Sequence, residues 1–327
     1  MNGHARFASQ AAAARGWKFA PLDGPDAYVF EVRDGDRRCV IAAGSASPYA
    51  LNSAAAMSLA RDKGFAGLAL TAAGVATIPG QLFFVSPRHA AFRTAGQEPG
   101  DALVASAKFR YPVFCKPVSG SRGDFAEIIA DPTAFAGYVE RVGARHDAIL
   151  VQPFVRGVEH RVIVLNGKGL CAYEKSPLTV TGDGVTSLAA LVSKARAEGK
   201  PTTATIAPSE ATSGEDRAGQ RVHASEVPVA GGQVRILGPQ NRSAGGDARV
   251  LHAPAPPALA AIGEAAAAAL GLAFAGVDVF DVSEHADLSG LLVIEANASP
   301  ALLTLEAHGR LDLIDAIWGA NLQAALG

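Results

Sequence analysis

Three oxygen-bearing side chains stand in two strongly apolar segments near the end of the chain. Asp278 interrupts the run 274–282, and Glu295 and Asn297 lie two residues apart in the run 290–300. Residues two apart in a β-strand share one face, so we expect these groups to converge from neighbouring strands. Hard cations such as Mg²⁺ prefer oxygen ligands, and a buried acid without a partner is costly. The pattern predicts a Mg²⁺ site on these three residues, although a pair of hydrogen-bonded polar groups in the core would produce the same pattern.

A lysine and a turn of small residues follow one another in the middle of the chain. Lys116 stands near the end of the apolar segment 111–117, and Ser119-Gly120-Ser121-Arg122-Gly123 comes shortly after it. Backbone N–H groups and an ammonium group in such a position can line a polyphosphate, and glycine lets the backbone approach the phosphate oxygens. The segment is a candidate phosphate-binding turn. An ordinary strand with an exposed lysine and a hairpin has the same composition.

An apolar strand that leads into Gly157 and Glu159 could form one wall of a purine site. The strand is predicted at 148–154, directly before these two residues. Backbone groups near Phe154 and Val155 could bind the edge of an adenine ring, and Glu159 could accept hydrogen bonds from ribose hydroxyls. Taken alone, the segment is better explained as a buried strand followed by a solvated glutamate.

A polar, glycine-rich loop lies between two apolar segments at 237–246. Asn241 and Arg242 are hydrogen-bond donors within it, and they could line the space above a phosphate group. A surface turn has the same composition, so only the neighbouring motifs favour a functional interpretation.

The elements that must position these residues are helices and strands in mixed order. The turn signals Asp34-Gly35-Asp36 and Asn166-Gly167 join strand pairs tightly, which favours an α+β fold over a simple parallel sheet. The polar stretch 200–226 is expected to be irregular. Helices are predicted at 7–15, 52–73, 101–109, 131–142, 188–198, 256–270 and 311–325, and strands at 27–32, 38–43, 81–85, 111–117, 125–129, 148–154, 160–165, 170–175, 274–282 and 290–296.

Composition limits the class of protein. The chain has 327 residues, 49% of them hydrophobic and 18% charged, with a net charge of −2. This balance argues against disorder and against nucleic-acid binding through bulk positive charge. The three cysteines are far apart, and the longest apolar run, 265–277, is shorter than the roughly 20 residues of a membrane span. We therefore expect a cytoplasmic protein with no nucleic-acid or membrane partner.

In their order and spacing, the four motifs resemble the ATP-grasp superfamily of carboxylate–amine ligases. The most specific segment is Glu295-Ala296-Asn297-Ala298-Ser299-Pro300. Lys175-Ser176-Pro177, Thr181-Gly182-Asp183-Gly184 and the loop at 241–246 are similar to the ATP-grasp modules of the cyanophycin synthetase group, with glutathione synthetases and ribosomal-protein glutamate ligases as further relatives.

The resemblance implies an ATP-grasp fold in which two α+β subdomains grip ATP. It divides the chain into a small lobe (1–50), a linking region (51–110) and a grasp domain (111–327), the last split at about residue 185 into a nucleotide-binding subdomain and a metal-binding subdomain. It also implies ATP with Mg²⁺ (or Mn²⁺), a small-molecule carboxylate and an amine such as an amino acid or peptide, and it leaves a homodimer open.

The same resemblance assigns roles to individual residues. Lys63, Lys116 and Lys175 would face the phosphates. Ser119, Gly120, Ser121 and Gly123 would form a flap over them. Gln152, Phe154 and Val155 would form the adenine hinge, and Glu159 would bind ribose. Arg161, Asn241 and Arg242 would contact the phosphoryl group or the acyl substrate, and Asp278, Glu295 and Asn297 would hold Mg²⁺.

Two other functions share most of these features. One is an ATP-dependent phosphotransferase whose acceptor is not a carboxylate, and the other is a nucleotide-binding regulator without turnover. The chain also departs from the family pattern at the hinge, where Gln152 replaces the usual acid, and in the flap, which carries Arg122 and Asp124.

Overall fold

The strands of the described residues form four sheets. The structure, a computed structural model, describes residues 1–44, 47–88, 90–120, 123–198, 213–217, 220–237 and 247–327. The sheets contain three, four, four and five strands, and their ladders are antiparallel. The predicted α+β class is confirmed.

The N-terminal lobe packs one helix on a three-stranded sheet. Its elements are α1 (Gly3–Ala14), β1 (Lys18–Pro21), β2 (Val29–Asp34) and β3 (Arg37–Ala42). The side chain of Asn2 accepts a hydrogen bond from the Ala5 amide and so caps α1. Phe30 of the sheet is fully buried in a cluster with Trp318 from the C-terminal end of the chain. The lobe is therefore built around a helix from the far end of the sequence.

The helix predicted at 52–73 is wrong as a single element, because the chain forms α2 (Ala54–Arg61) and α3 (Lys63–Ala72). Asp62 lies between them with extended backbone angles, and its side chain accepts a hydrogen bond from the Phe65 amide. The Lys63 amide donates to the Val118 carbonyl at 2.9 Å instead of continuing α2. An N-cap therefore starts a second helix and brings Lys63 to the strand that carries Lys116.

A four-stranded sheet with two covering helices follows. Its elements are β4 (Gln81–Phe84), a 3₁₀ turn (Ala90–Phe92), α4 (Pro99–Ser106), β5 (Val113–Pro117), β6 (Glu127–Ile129), α5 (Pro132–Gly143) and β7 (Ala148–Pro153), with strand order β4-β7-β5-β6. Cys115 and Ile149 pack with Phe135 and Tyr138 on the helix side. Because successive strand residues alternate faces, Lys116 and Gln152 lie on the opposite side.

The remaining elements form the largest sheet and a smaller one. They are β8 (Val158–Leu165), β9 (Lys168–Ser176), β10 (Thr179–Thr181), α6 (Leu188–Glu198), β11 (Ser213–Asp216), β12 (Arg221–His223), β13 (Gln233–Ile236), β14 (Asp247–His252), α7 (Pro257–Ala269), β15 (Phe274–Asp281), β16 (Leu291–Asn297), α8 (Leu303–Ala307) and α9 (Leu311–Leu326). The large sheet has the order β14-β9-β8-β15-β16, and the small sheet has the order β10-β13-β11-β12. Asn166 and Gly167, both with positive φ, make the predicted tight turn between β8 and β9.

The two faces of the large sheet pack against different parts of the chain. One face, with Val162 and Val277, packs on α7. On the other face, Ile163 and Phe274 pack against the N-terminal lobe. Farther along the same face the strands carry ionisable residues, which form the site described below.

The stretch 200–226, expected to be irregular, contains β11 and β12 within its described part. These strands pair as a hairpin and join β13 through β11. The sequence did not indicate them, because they are short and polar and lack an apolar alternation. β1, β10, β13 and β14 were also missed. Residues 199–212, 218–219 and 238–246 lie outside the described residues.

Sheet pairing bears on the division expected at about residue 185. Strands β8 and β9, placed by that division in the nucleotide subdomain, pair with each other and with β15 of the large sheet. The change from one sheet to the next occurs at 154–157, between β7 and β8. The domain boundaries themselves stay a prediction. Among the described helices, none is long and apolar enough to cross a membrane.

Candidate active site

A row of ionisable side chains crosses the large sheet. Asp278 on β15 lies directly opposite Arg161 on β8 and opposite Glu295 on β16. Tyr173 on β9 is opposite Arg161 and extends the row. The strand register therefore brings Arg161 next to Asp278, which lies 117 positions later in the chain, and Asp278 next to Glu295.

Asp278 is held by two cations. Arg161 donates through Nε and Nη2 to the two carboxylate oxygens of Asp278, at 2.7 and 2.6 Å. Lys175 Nζ lies 2.9 Å from Asp278 Oδ2. Burial alone would raise the pKa of Asp278, but Arg161 and Lys175 outweigh burial and lower it to about 2. Asp278 is therefore ionised, although only 2% of it is exposed.

Glu159 shares Lys175 with Asp278. The Lys175 Nζ lies 2.5 Å from Glu159 Oε1, and both side chains are buried. Burial raises the pKa of Glu159 in spite of the lysine beside it. Glu159, expected to bind ribose, thus has an ion-pair partner that the sequence analysis did not anticipate.

The second carboxylate of the row contacts the lysine at the start of α3. Lys63 Nζ lies 3.7 Å from Glu295 Oε2 and donates to the Gly120 carbonyl at 3.0 Å. Burial would raise the pKa of Glu295, but the positive charges of Lys63 and Lys116 help to lower it. Asn297 Nδ2 donates to Glu295 Oε1 at 3.2 Å, so the predicted pair on β16 is on one face as expected.

Lys116 faces this row from β5, in the sheet β4-β7-β5-β6. Its side chain is buried, and burial lowers its pKa, while the charge of Glu295 opposes that shift. Of the described side chains, the cleft between the two sheets contains four cationic ones (Lys63, Lys116, Arg161 and Lys175) and three carboxylates (Glu159, Asp278 and Glu295). A cation excess of one favours an anionic ligand.

The oxygen groups at this point suit a divalent cation that also binds phosphate. Asp278 and Glu295 are ionised neighbours, and Asn297 adds an amide beside them. Within the described ranges no group of three or more His, Cys, Asp or Glu side chains is placed to hold a metal. Mg²⁺ characteristically takes one or two carboxylates and completes its shell with water and substrate phosphates. The residues present therefore fit Mg²⁺ bound together with a nucleotide.

The residues expected to form the adenine hinge and the flap differ in burial and in their contacts. Gln152 Nε2 donates to the Ile78 carbonyl at 2.9 Å, so its amide ties β7 to the segment before β4. Phe154 and Val155 are half-buried in the connection between the two sheets, while Ser119 and Gly120 are exposed at the end of β5. Ser121, Arg122, Asn241 and Arg242 fall outside the described residues, so the roles expected for them stay predictions.

Two residues that support the site were not identified as such from the sequence. Asp62 caps α3 and so places Lys63. Asn52 precedes Ser53, whose side chain caps α2. The Asn52 amide instead binds the backbone of Ala273, Phe274 and Ala298, and so joins the start of β15 to the segment after Asn297.

Comparison with known proteins places this fold. No family model matches the chain. A cyanophycin synthetase from Synechocystis sp. is 28% identical over 200 residues, which cover 58% of this chain and 23% of that protein. A bifunctional glutathione synthetase from Pasteurella multocida has a TM-score of 0.50 at 21% identity and covers 94% of this chain and 44% of that one. A D-alanine–D-alanine ligase from Bacillus anthracis has a TM-score of 0.50 at 14% identity and covers 84% and 70%.

The chain is therefore similar in sequence to cyanophycin synthetases and has the fold of the glutathione synthetase and D-alanine–D-alanine ligase structures, in agreement with the ATP-grasp resemblance of its motifs. It spans about a quarter of the length of the cyanophycin synthetase that it matches.

Proposed function

We propose that the protein is an ATP-dependent carboxylate–amine ligase that forms an amide or peptide bond through an acylphosphate. The observation that carries the proposal is the cleft between the sheets, where Lys116 and Lys63 face the row of Asp278 and Glu295. Lysines on one wall and ionised carboxylates on the other suit a nucleotide whose phosphates bridge them. The relationship to synthetases and ligases supports the same conclusion.

The reaction would need no covalent nucleophile from the protein. A substrate carboxylate oxygen attacks the γ-phosphorus of ATP, the bond to the β-phosphate oxygen breaks, and ADP leaves. An amine nitrogen then attacks the acyl carbon, phosphate leaves, and the nitrogen loses a proton. Catalysis of this kind depends on positioning and on neutralising the charge of the phosphates.

Different residues of the cleft bind the phosphates, orient Asp278 and would hold the metal. Lys116 and Lys63 bind phosphate oxygens, and Lys63 also orders the flap through Gly120. Arg161 and Lys175 hold Asp278 ionised and oriented. Glu295, Asn297 and Asp278 would hold Mg²⁺, which supplies charge neutralisation at the β- and γ-phosphates when bound.

The products formed from MgATP distinguish this function from its alternatives. The protein would be incubated with MgATP and a panel of amino acids, dipeptides and small carboxylic acids. Phosphate release that requires both an acid and an amine, with a condensed product in the mass spectrum, is the expected result. A phosphorylated product would instead establish a phosphotransferase, and binding without turnover would establish a regulator.

A further inference from the structure

A buried carboxylate ties the small sheet to residues 154–157, which connect β7 of the sheet β4-β7-β5-β6 to β8 of the large sheet. Glu215 on β11 lies 2.6 Å from Arg156 Nη1 and accepts a hydrogen bond from Arg235 Nη2 at 3.3 Å. The Glu215 side chain is 9% exposed, whereas Arg156 and Arg235 are 64% and 56% exposed. Arg156 belongs to the connection 154–157, so this contact joins parts of the chain about 60 residues apart.

The connection 154–157 has little freedom on its other side. A Cβ atom at Gly157 would lie 2.5 Å from the Asp281 carbonyl oxygen, so the backbone passes directly against the end of β15. The Arg156 guanidinium lies over the Phe154 ring, 5.6 Å from its centre. Phe154 is therefore placed by a chain of contacts that begins at Glu215.

The two faces of the small sheet explain why Glu215 points at this connection. Val180 and Val234 pack with Leu188 and Val192 of α6, so α6 covers one face. The opposite face carries a row across four strands, which consists of Thr179, Arg235, Glu215 and Arg221. Since Arg156 contacts Glu215, this polar face is turned toward the connection 154–157.

We propose that Glu215 is a positioning residue for nucleotide binding, which docks the small sheet on the connection 154–157 and so orders Phe154. The inference rests on the proposed function and on the adenine hinge expected at Gln152, Phe154 and Val155. Loss of the Glu215 charge releases Arg156 and lets the connection move. ATP binding then weakens, while the phosphate-binding residues in the cleft are untouched.

Hydrogen exchange and ATP affinity test the proposal together. In Glu215→Gln we expect faster exchange of the amides at 154–157 and an ATP dissociation constant raised about tenfold, the effect of losing one charge-assisted hydrogen bond. KM for ATP should rise by a similar factor with kcat nearly unchanged. Glu215→Asp should recover part of the affinity. Arg156→Gln removes the same contact from its exposed end and should reproduce the result if Glu215→Gln folds poorly.

Glu31 provides a matched control. It lies on β2 with a side chain 10% exposed, and it is paired with Arg33 and Arg38, which are 48% and 53% exposed. Glu31→Gln should leave exchange at 154–157 and ATP affinity unchanged. Unchanged exchange and affinity in Glu215→Gln and Arg156→Gln would overturn the proposal. If the wild-type protein binds no ATP, the proposed function fails and the nucleotide role of Glu215 fails with it, while the exchange still decides whether Glu215 docks the sheet.

Discussion

At the scale of single residues, the cleft depends on which charges neutralise each other. Arg161 and Lys175 both form ion pairs with Asp278, and Lys63 forms one with Glu295. A buried charge that loses its partner is strongly destabilising, because the remaining charge has neither solvent nor a counter-ion. Substitutions in this cluster must therefore be judged by activity and by stability together.

Glu295→Gln should lower kcat by at least about 100-fold, the scale of losing one preorganised electrostatic contact at a transferring phosphoryl group. The substitution keeps the shape of the side chain but removes the charge next to Lys63 and Asn297. Steady-state release of ADP is the measurement. Glu306→Gln is the control, because Glu306 pairs with Arg6 at 2.6 Å outside the cleft and should retain full turnover. A normal rate in Glu295→Gln would refute the assignment of this residue.

The pH dependence of stability should carry a contribution from Asp278. Its pKa is about 2 in the folded protein, below its ordinary value of 3.8, so ionised Asp278 stabilises the fold. This contribution, of order 2 kcal/mol, is complete above about pH 4 and is lost as the pH falls toward 2. Urea unfolding between pH 2 and pH 7 should show the loss in the wild-type protein. In Asp278→Asn that part of the pH dependence should be missing, and an unchanged profile would contradict the prediction.

At the scale of elements, caps and clamps set where the reacting side chains lie. The break between α2 and α3 is the clearest case, because Asp62 starts α3 and the Lys63 amide binds Val118. A continuous helix over 52–73 would direct Lys63 elsewhere. The irregularity is therefore part of the site.

Asp62→Ala should cost about 1 kcal/mol of stability, the usual effect of removing an N-cap, and should also raise KM for ATP because Lys63 loses its fixed position. Asp131→Ala is a matched control. Asp131 caps α5 through the Ala134 amide at 2.8 Å, so it should cost a similar stability without changing KM. Equal KM values in the two variants would show that the cap does not position Lys63. Urea unfolding and initial rates give both quantities.

Asn52→Ala should destabilise the protein by about 3 kcal/mol or more. Its amide makes four hydrogen bonds to backbone groups at 273, 274 and 298, and its loss leaves several buried polar groups without partners. Ser53→Ala removes only the neighbouring cap to Ala56 and should cost about 1 kcal/mol. Denaturant midpoints compare the two variants directly. Similar losses would show that Asn52 is not the clamp described above.

At the scale of the whole molecule, the cleft lies between two sheets that are joined through 154–157. A ligand that contacts both sheets stabilises the folded protein, and a ligand at 100 times its dissociation constant adds about 2.7 kcal/mol.

MgATP should therefore raise the melting temperature by several degrees. ATP with EDTA should raise it less, because the carboxylates of Asp278 and Glu295 then face the phosphates without a cation between them. Differential scanning calorimetry measures both, with MgGTP as the control for the adenine site. Equal shifts with and without the metal would contradict the proposed Mg²⁺ site.

Local spacing in the sequence was sufficient for features that depend on near neighbours. Glu295 and Asn297 share a face because the strand repeats every two residues, and Asn166-Gly167 turns because both residues accept positive φ. Lys116 at the end of an apolar strand was also found this way, and the order of the motifs gave the resemblance to ATP-grasp ligases with which the similar proteins agree. These features need only the local geometry of the chain.

Other features were decided by tertiary structure alone. The register between β8 and β15 determines that Arg161 neutralises Asp278. The pairing of β8 with β9 places Glu159 opposite Lys175. Lys63 reaches Glu295 only because α2 ends at Asp62. Burial makes each of these charges depend on its partner, and that partner is chosen by contacts between distant segments, which no spacing along the sequence encodes.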